Sequence, residues 1–236
     1  MSRNDVIKRP RLYVDSDLQE SSHAVLGKEQ AHYLLHVLRC RSGDGLRLFN
    51  GRDGEWYGII ETASKKDISI RLESKIKEQP AQMRAVHLFF TPIKKARLDW
   101  LVEKAVELGA THLHPVLTQN TEVRAINETR IRTQIIEAAE QCERMDAPAL
   151  LPLKPLFSAL PDMVVLACLE RMGATPLREC LPQEKESVAF LIGPEGGFTI
   201  EEKEKLCALS NVKPVSLGPR ILRSETAAIT ALCTIE

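Results

Sequence analysis

Two stretches near the C-terminal end share one grammar, and that grammar narrows the possible folds more than any other feature of the chain. In the first, Val188-Ala189-Phe190-Leu191-Ile192 runs apolar into Gly193-Pro194-Glu195-Gly196-Gly197-Phe198, and Thr199-Ile200-Glu201-Glu202 follows. An unbroken apolar run bounded by Gly-Pro fits a strand buried on both faces. Thr199 and Glu202 have the spacing of a capping box, in which hydroxyl and carboxylate satisfy each other's orphan amides at a helix start. In the second, Val215 and Leu217 lead into Gly218-Pro219-Arg220-Ile221-Leu222-Arg223, and Ser224-Glu225-Thr226-Ala227-Ala228 opens another helix. Ser224 reads as the N-cap of that helix, and Glu225 complements the positive end of its dipole. Strand, glycine loop and helix, repeated, predict an open α/β sheet with a ligand crevice at the carboxyl ends of its strands. On spacing alone, two ordinary strand-to-helix turns fit equally well.

Upstream, the pattern is βαβ. Ala85 to Phe90 is apolar, and Leu98, Leu101, Val102, Ala105 and Val106 then recur at helical spacing until Gly109 closes the helix. Leu113 to Leu117 returns as a strand, so the sheet is expected to be parallel with helices on its faces. Asn127 is placed to cap the next helix, whose inner face is Ile131, Ile135, Ala138 or Ala139, and Cys142. Its outer face and end carry Arg130, Arg132, Glu140, Gln141 and Arg144. Glu140 and Arg144 are four apart, a spacing that permits a surface ion pair worth only a few tenths of a kcal/mol, roughly. Val164 to Leu169 reads as a further buried strand, and Met172 to Glu186 as a polar connection with little recognisable chemistry.

Residues 1 to about 78 read as a separate unit. Arg11 to Val14 suggests a strand. Lys28 to Leu38 suggests a helix with Ala31, Leu34, Leu35 and Leu38 on one face. Alternation at Leu46 to Phe49, Trp56 to Ile60 and Asp67 to Leu72, with a turn at Asn50 to Gly54, predicts a small β-barrel. Lys75 to Gln82, with Pro80, reads as the linker. Arg39, Arg41, Arg47 and Arg52 are opposed in their window only by Asp44, which taken alone describes a solvated charged surface. His32 and His36 lie four apart but lack a third ligand nearby, so solvent-facing histidines are expected rather than a metal site.

Composition removes several function classes. Lys plus Arg and Asp plus Glu both number 32, so a general nucleic-acid binder, which relies on excess positive charge, is disfavoured. An enzyme acting on RNA with this balance needs local basic patches and a structured substrate. Six cysteines carry no Cys-x-x-Cys spacing and read as reduced thiols, with neither a disulfide framework nor zinc. No apolar run approaches the roughly 20 residues that span a bilayer, and no signal peptide opens the chain, so a soluble cytoplasmic protein is expected. Gly-x-Gly-x-x-Gly, the P-loop and Gly-x-Ser-x-Gly are all missing, which disfavours dinucleotide, nucleoside-triphosphate and serine-hydrolase chemistry.

The paired segments Leu191–Glu202 and Leu217–Ala228, with Lys104-Ala105-Val106-Glu107-Leu108-Gly109 and Glu140-Gln141-Cys142-Glu143-Arg144, resemble the ribosomal RNA small subunit methyltransferase E family over nearly the whole chain. The resemblance implies an α/β SPOUT-type parallel-sheet domain over 79–236 with a C-terminal trefoil knot. Before it, a small PUA-like β-barrel RNA-binding domain is implied over 1–78. It implies methylation of uridine N3 in 16S ribosomal RNA of the small ribosomal subunit, with S-adenosylmethionine as methyl donor, by a homodimer with no metal and no membrane association. The cofactor residues it implies are Leu169, Gly193, Gly196, Leu217, Gly218, Leu222, Ser224, Thr226 and Ala227. Arg220 and Arg223 are the expected electrostatic groups, and Arg144 is expected to act across the dimer interface. Glu225 and Glu195 both stand as candidate proton acceptors, each with a competing structural role. Gln141 and Arg144, with Arg39, Arg41 and Arg47, are the expected RNA contacts. Three positions depart from the family pattern: Glu103 for a glutamine, Asn120 for an arginine, and Glu143 for a small residue. The rival readings are a SPOUT ribose 2′-O-methyltransferase, a catalytically silent ribosome-assembly factor, and an unrelated α/β hydrolase or phosphate-binding enzyme.

Overall fold

The computed structural model describes residues 3–64, 66–81, 84–183 and 185–235. They divide into two compact units, Met1–Gln82 with Ala139–Ala147, and Met83–Ala138 with Pro148–Glu236.

The first unit contains α1 (Arg3–Ile7), β1 (Arg11–Tyr13), β2 (His23–Leu26), α2 (Lys28–His32), a π-helical turn (Tyr33–Val37), β3 (Gly45–Phe49), β4 (Glu55–Ala63) and β5 (Ile68–Lys77). Its strands are ordered β1-β3-β4-β5-β2, parallel between β1 and β3 and antiparallel elsewhere. Alternating residues of these strands (Leu46 and Leu48, Ile68, Ile70 and Leu72) meet Leu12, Leu26 and Leu34 in one apolar core. The expected helix over Lys28–Leu38 changes to π geometry after His32 and stops at Val37. The wider turn rotates Leu38 off the buried face, leaving it 38% exposed, and Arg39 follows in the left-handed region at φ 57°. Strand β5 continues to Lys77, so ladder pairing takes up the first three residues of the expected linker. Its last residue, Gln82, lies outside the described residues.

An ionic cluster centred on a buried carboxylate lies in this unit. Glu55 is fully buried and receives Arg11 at 3.4 Å, Arg47 at 3.2 Å and Lys77 at 3.5 Å. Glu143 joins from the Ala139–Ala147 segment, 3.0 Å from Arg47 and 3.2 Å from Lys77. Arg11 also donates to the Ala139 and Arg144 carbonyls at 2.9 and 2.8 Å, and its guanidinium lies 3.6 Å over the Phe49 ring. A carboxylate taken wholly out of water is tolerable only with such pairing.

The second unit is a parallel α/β sheet. In chain order it holds β6 (Val86–Phe90), α3 (Lys95–Glu107), β7 (His112–Leu117), α4 (Glu128–Gln141), β8 (Ala149–Leu150), β9 (Lys154–Pro155) and α5 (Leu156–Ala159). Then come β10 (Val165–Cys168), β11 (Thr175–Pro176), α6 (Leu177–Cys180), β12 (Val188–Ile192), α7 (Ile200–Ala208), β13 (Val212–Ser216) and α8 (Ser224–Leu232). The last three residues of α4 are grouped with the first unit. The sheet runs β11-β13-β10-β12-β6-β7-β8, every ladder parallel. Central β12 is buried at all five positions, as its unbroken apolar run requires. Strand β6 pairs with β12 from Val86↔Val188 to Phe90↔Ile192, so Pro92 and Gly193 leave the sheet on the same side.

Helix α3 buries the expected stripe Leu98, Leu101, Val102, Ala105 and Val106, and Gly109 at φ +82° ends it without the cost a Cβ would carry there. Asn127 Oδ1 accepts from the Arg130 amide at 3.0 Å, capping α4. The capping box at α7 is complete: the Glu202 amide donates to Thr199 Oγ1 at 3.2 Å, and Glu202 Oε2 accepts from the Thr199 amide at 3.0 Å.

Candidate methyl-donor pocket and its surroundings

At the carboxyl ends of β10, β12 and β13, three chain segments surround a cavity of about 280 Å³. One wall is Cys168 and Leu169 with residues 170–174; a second is Ile192 to Pro194 with Gly197 and Phe198; the third runs from Val215 to Leu222 and includes Ser224 and Ala227. Adjacent parallel strands that hand their chains to opposite faces leave this kind of crevice, and all three strands here end beside one another.

The wall residues are held by short, local devices. Gly193 sits against Phe198, and a Cβ placed there would lie 2.6 Å from the ring. The Ser224 hydroxyl donates to the Gly193 carbonyl at 2.8 Å, joining the β12 loop to the start of α8. This corrects the N-cap expectation: Arg223 holds the cap position without a side-chain bond, and Ser224 is the first helical residue. Its hydroxyl is thereby free to bind across the crevice instead of to its own helix. Burial pushes the Cys168 thiol up to about 12, so it lines the cavity as an uncharged group.

The expected cofactor residues fall into two sets. Leu169, Gly193, Leu217, Gly218, Leu222, Ser224 and Ala227 line the cavity, whereas Gly196 and Thr226 do not. Gly196 faces away, where a Cβ would meet Asn120 at 3.3 Å, and Thr226 is exposed on α8. Arg220 is exposed on the cavity wall; Arg223 is exposed beside it, at the helix start. Glu225 points elsewhere. It is 7% exposed, its Oε1 lies 3.8 Å from Arg97 Nε, and its Oε2 has no hydrogen-bond partner among the described residues. A carboxylate enclosed to this degree is closed to a nucleotide base in this arrangement, so its place is that of a buried anchor.

Sequence reading missed Arg97 and Asn120. Residues 170–174, the loop after Leu169 whose last three residues open the stretch that looks chemically silent, form a wall, with Arg171 and Gly173 in left-handed conformations at φ 61° and 59°. Those two turns have no side-chain signature beyond one glycine. Arg97 on α3 contacts Glu195 of the β12 loop and Glu225 of α8. Asn120 Nδ2 donates to the Gly196 and Gly197 carbonyls at 3.3 and 3.0 Å.

In the first unit, Arg39 and Arg41 are exposed, while Arg47 is 6% exposed and committed to Glu55 and Glu143. The expected RNA contact by Arg47 is therefore corrected to an internal ion pair. Gln141 is exposed; Arg144 forks onto Asp146, Nε to Oδ1 at 2.9 Å and Nη2 to Oδ2 at 3.0 Å. Glu140 Oε1 accepts from the Tyr13 amide at 2.9 Å. His32 and His36 are exposed with ring centroids 4.7 Å apart, and no group of three or more metal-ligating side chains occurs among the described residues. No described helix is long and apolar enough to cross a membrane.

Residues 79–236 match the family model for an RNA methyltransferase domain, and 26–73 match the RNA methyltransferase PUA domain. A ribosomal RNA small subunit methyltransferase E of Rickettsia conorii is 35% identical over 97% of this chain and 96% of its own. The chain belongs to the ribosomal RNA small subunit methyltransferase E family.

A further member of the family, from Synechocystis, is 30% identical over 99% of this chain and 79% of its own length. The solved structure of the Neisseria gonorrhoeae member, bound to S-adenosyl methionine, superposes with a TM-score of 0.84 at 26% identity, covering 96% of each chain. Against the family pattern, the three departures have distinct surroundings. Glu103 is an exposed partner of Lys104, Glu143 enters the buried ionic cluster, and Asn120 grips the glycine loop.

Proposed function

We propose that this protein transfers a methyl group from S-adenosylmethionine to N3 of a uridine in 16S ribosomal RNA of the small ribosomal subunit. The observation that carries the reading is the cavity at the ends of β10, β12 and β13, built largely from the motif residues that mark the family. Its walls combine apolar side chains (Leu169, Leu217, Leu222) with loop backbone, which suits the flat face and polar edge of an adenine. The Gly-Pro backbone of residues 217–222, on the same cavity, suits an amino-acid tail. The thiol of Cys168, kept neutral by burial, offers no competing nucleophile beside an electrophilic methyl group.

When bound, the sulfonium supplies an activated methyl group, so the protein's work is placement and charge control. Loss of the N3 proton spreads negative charge over the flanking carbonyl oxygens of the base. Arg220 and Arg223, both exposed, are the proposed stabilising cations. Glu225 is enclosed, and Glu195 is paired with Arg97 and does not line the cavity, so neither carboxylate is assigned the proton. Gln141 and Arg144, and exposed Arg39 and Arg41, are the proposed RNA contacts. Their charge compensates locally for a chain that is neutral overall.

Family membership supports three further parts of the proposal. The loops after Leu169, around Gly193–Gly196 and from Leu217 to Ala227 form a C-terminal trefoil knot; the enzyme works in the cytoplasm; and it works as a homodimer. Exposed Trp100 on α3 and Ile221 in the third wall, 45% and 58% accessible, provide apolar surface for a second copy. Sedimentation of the pure protein tests the dimer, which a monomer at tens of micromolar would refute. The activity is tested by incubating small subunits that lack the modification with enzyme and donor, then digesting the RNA and identifying the nucleoside by mass. 3-Methyluridine is expected; 2′-O-methyluridine would indicate the ribose reaction, and no methylated product a silent factor.

A further inference from the structure

We infer that Arg97 and Asn120 form a brace behind the glycine loop: positioning residues that set the methyl-donor pocket without touching what it holds. The inference rests on the proposed function for the identity of the ligand and on geometry for everything else.

The loop Gly193–Gly197 is a poor candidate to hold its own shape. It contains three glycines, whose backbone loses more freedom on ordering than any other residue's, and Gly197 adopts φ +68°. Yet its polar backbone is held almost continuously. The Gly193 carbonyl accepts from Ser224, the Pro194 carbonyl from the Gly197 amide at 2.8 Å, and the Gly196 and Gly197 carbonyls from Asn120. Glu195, the one side chain there with charge, pairs with Arg97.

Neither Arg97 nor Asn120 lines the cavity. Asn120 instead borders a minor hollow on the far side of the loop, with Glu195 and Gly196. The loop therefore lies between its ligand side, where Gly193, Gly197 and Phe198 face the cavity, and its support side, where Asn120 and Arg97 hold it. Arg97 does more than support one loop. It also reaches Glu225, in the first turn of the helix whose Ser224 binds Gly193. One guanidinium thus spans the two walls that Ser224 already links, and buried Glu225, whose close cation among the described residues is Arg97, draws its charge compensation from it. A site of this kind keeps its geometry only if supporting side chains lock the residues that touch the ligand.

The test is calorimetric titration of the full-length protein with S-adenosylhomocysteine, together with amide exchange across the β12 loop and a thermal melt for each variant. Arg97→Ala is expected to weaken binding about tenfold and Asn120→Ala several-fold, magnitudes typical of hydrogen bonds to charged and neutral groups. Arg97→Lys should recover most of the loss, because it restores the cation if not the fork. Amides of residues 193–197 should exchange faster in both alanine variants. The double variant should lose less than the product of the singles, since both act through one loop. Glu128→Ala, on the surface of α4, should change none of these. Unchanged affinity in a folded Arg97→Ala protein would overturn the brace. So would a lower melting temperature with affinity and loop exchange unaltered, which would mark a purely structural ion pair. Failure of the wild-type protein to bind would instead remove the proposed function.

Discussion

Ser224 and Gly193, 31 positions apart in the chain, are joined by a 2.8 Å bond from hydroxyl to carbonyl, and this bond closes the pocket wall between β12 and α8. The two segments that share one grammar in the sequence are thus one site in space. Ser224→Ala leaves a half-buried carbonyl without its donor, at a cost of about 1 kcal/mol. A fall of several degrees in melting temperature and several-fold weaker S-adenosylhomocysteine binding are expected, both read on the same sample. Threonine at this position should retain most of both.

Gly193→Ala tests the other side of the same contact. The added carbon would lie 2.6 Å from the Phe198 ring, and Phe198 is itself packed in the core of the second unit. The ring must move into the cavity or out of the core. Donor binding should fall by more than tenfold, with destabilisation of about 1–3 kcal/mol, the range for overpacked sites. Phe198→Leu in the same chain should restore part of the stability.

The histidines of β6 and β7 set an acid limit. His87 Nδ1 lies 2.9 Å from His114 Nε2, His87 stacks on His112, and His114 stacks on Phe89. Burial, then repulsion from neighbouring imidazoles, brings His87 and His114 down to about 4 from 6.5. Between those values the unfolded chain binds more protons than the folded one, so stability rises with pH across this window. The contribution is complete above pH 6.5 and disappears as pH falls through 4. Denaturant unfolding measured from pH 7 to 4 should show this slope, and the double variant His87→Phe/His114→Phe should flatten it.

Glu143 occupies a left-handed backbone position, φ 59°, where the family pattern has a small residue. Its ion pairs with Arg47 and Lys77 offset that strain, but its side chain is 44% exposed, so the pairs are well screened. Glycine here should be more stable than alanine by about 1 kcal/mol, since alanine keeps the strain and loses the pairs. Equal melting temperatures for the two variants would contradict this account. Glu55→Ala should be far worse, about 3–5 kcal/mol, because it strands buried Arg11 and Arg47.

Arg39 and Arg41 should separate from Arg47 in RNA binding. Alanine at either exposed position should lower affinity for small-subunit RNA and reduce the salt slope by about one phosphate contact, with the melt unchanged. Arg47→Ala should destabilise the fold first, since its guanidinium serves Glu55 and Glu143.

These residues also mark how far the sequence could be read. The Val188–Ile192 strand, the Thr199–Glu202 capping box, the α3 stripe and the Asn127 cap follow from local period and hydrogen-bonding capacity, and the chain folds as they indicate. Seven of the expected cofactor positions line one cavity because glycine loops at adjacent strand ends are brought together by the sheet itself. The roles of Arg47 and Glu225 are not legible locally, because a charged residue next to a motif looks the same whether it meets RNA or an oppositely charged side chain of its own chain. Arg97 and Asn120 act across 98 and 76 residues, a relation no window on the chain contains. The π-helical turn at Tyr33–Val37 was hidden for another reason: its apolar spacing is that of an α-helix until the geometry widens.

The central claim is methylation at N3 of a uridine, and the most direct measurement is nucleoside mass spectrometry of 16S RNA from small subunits treated with this protein and S-adenosylmethionine. Subunits from cells lacking the modification are the substrate, with Gly193→Ala protein as the matched control. The expected result is stoichiometric 3-methyluridine at one site with wild type and little or none with the variant. A methyl group on ribose or on another base, or unmodified RNA despite tight binding of the donor, would contradict it.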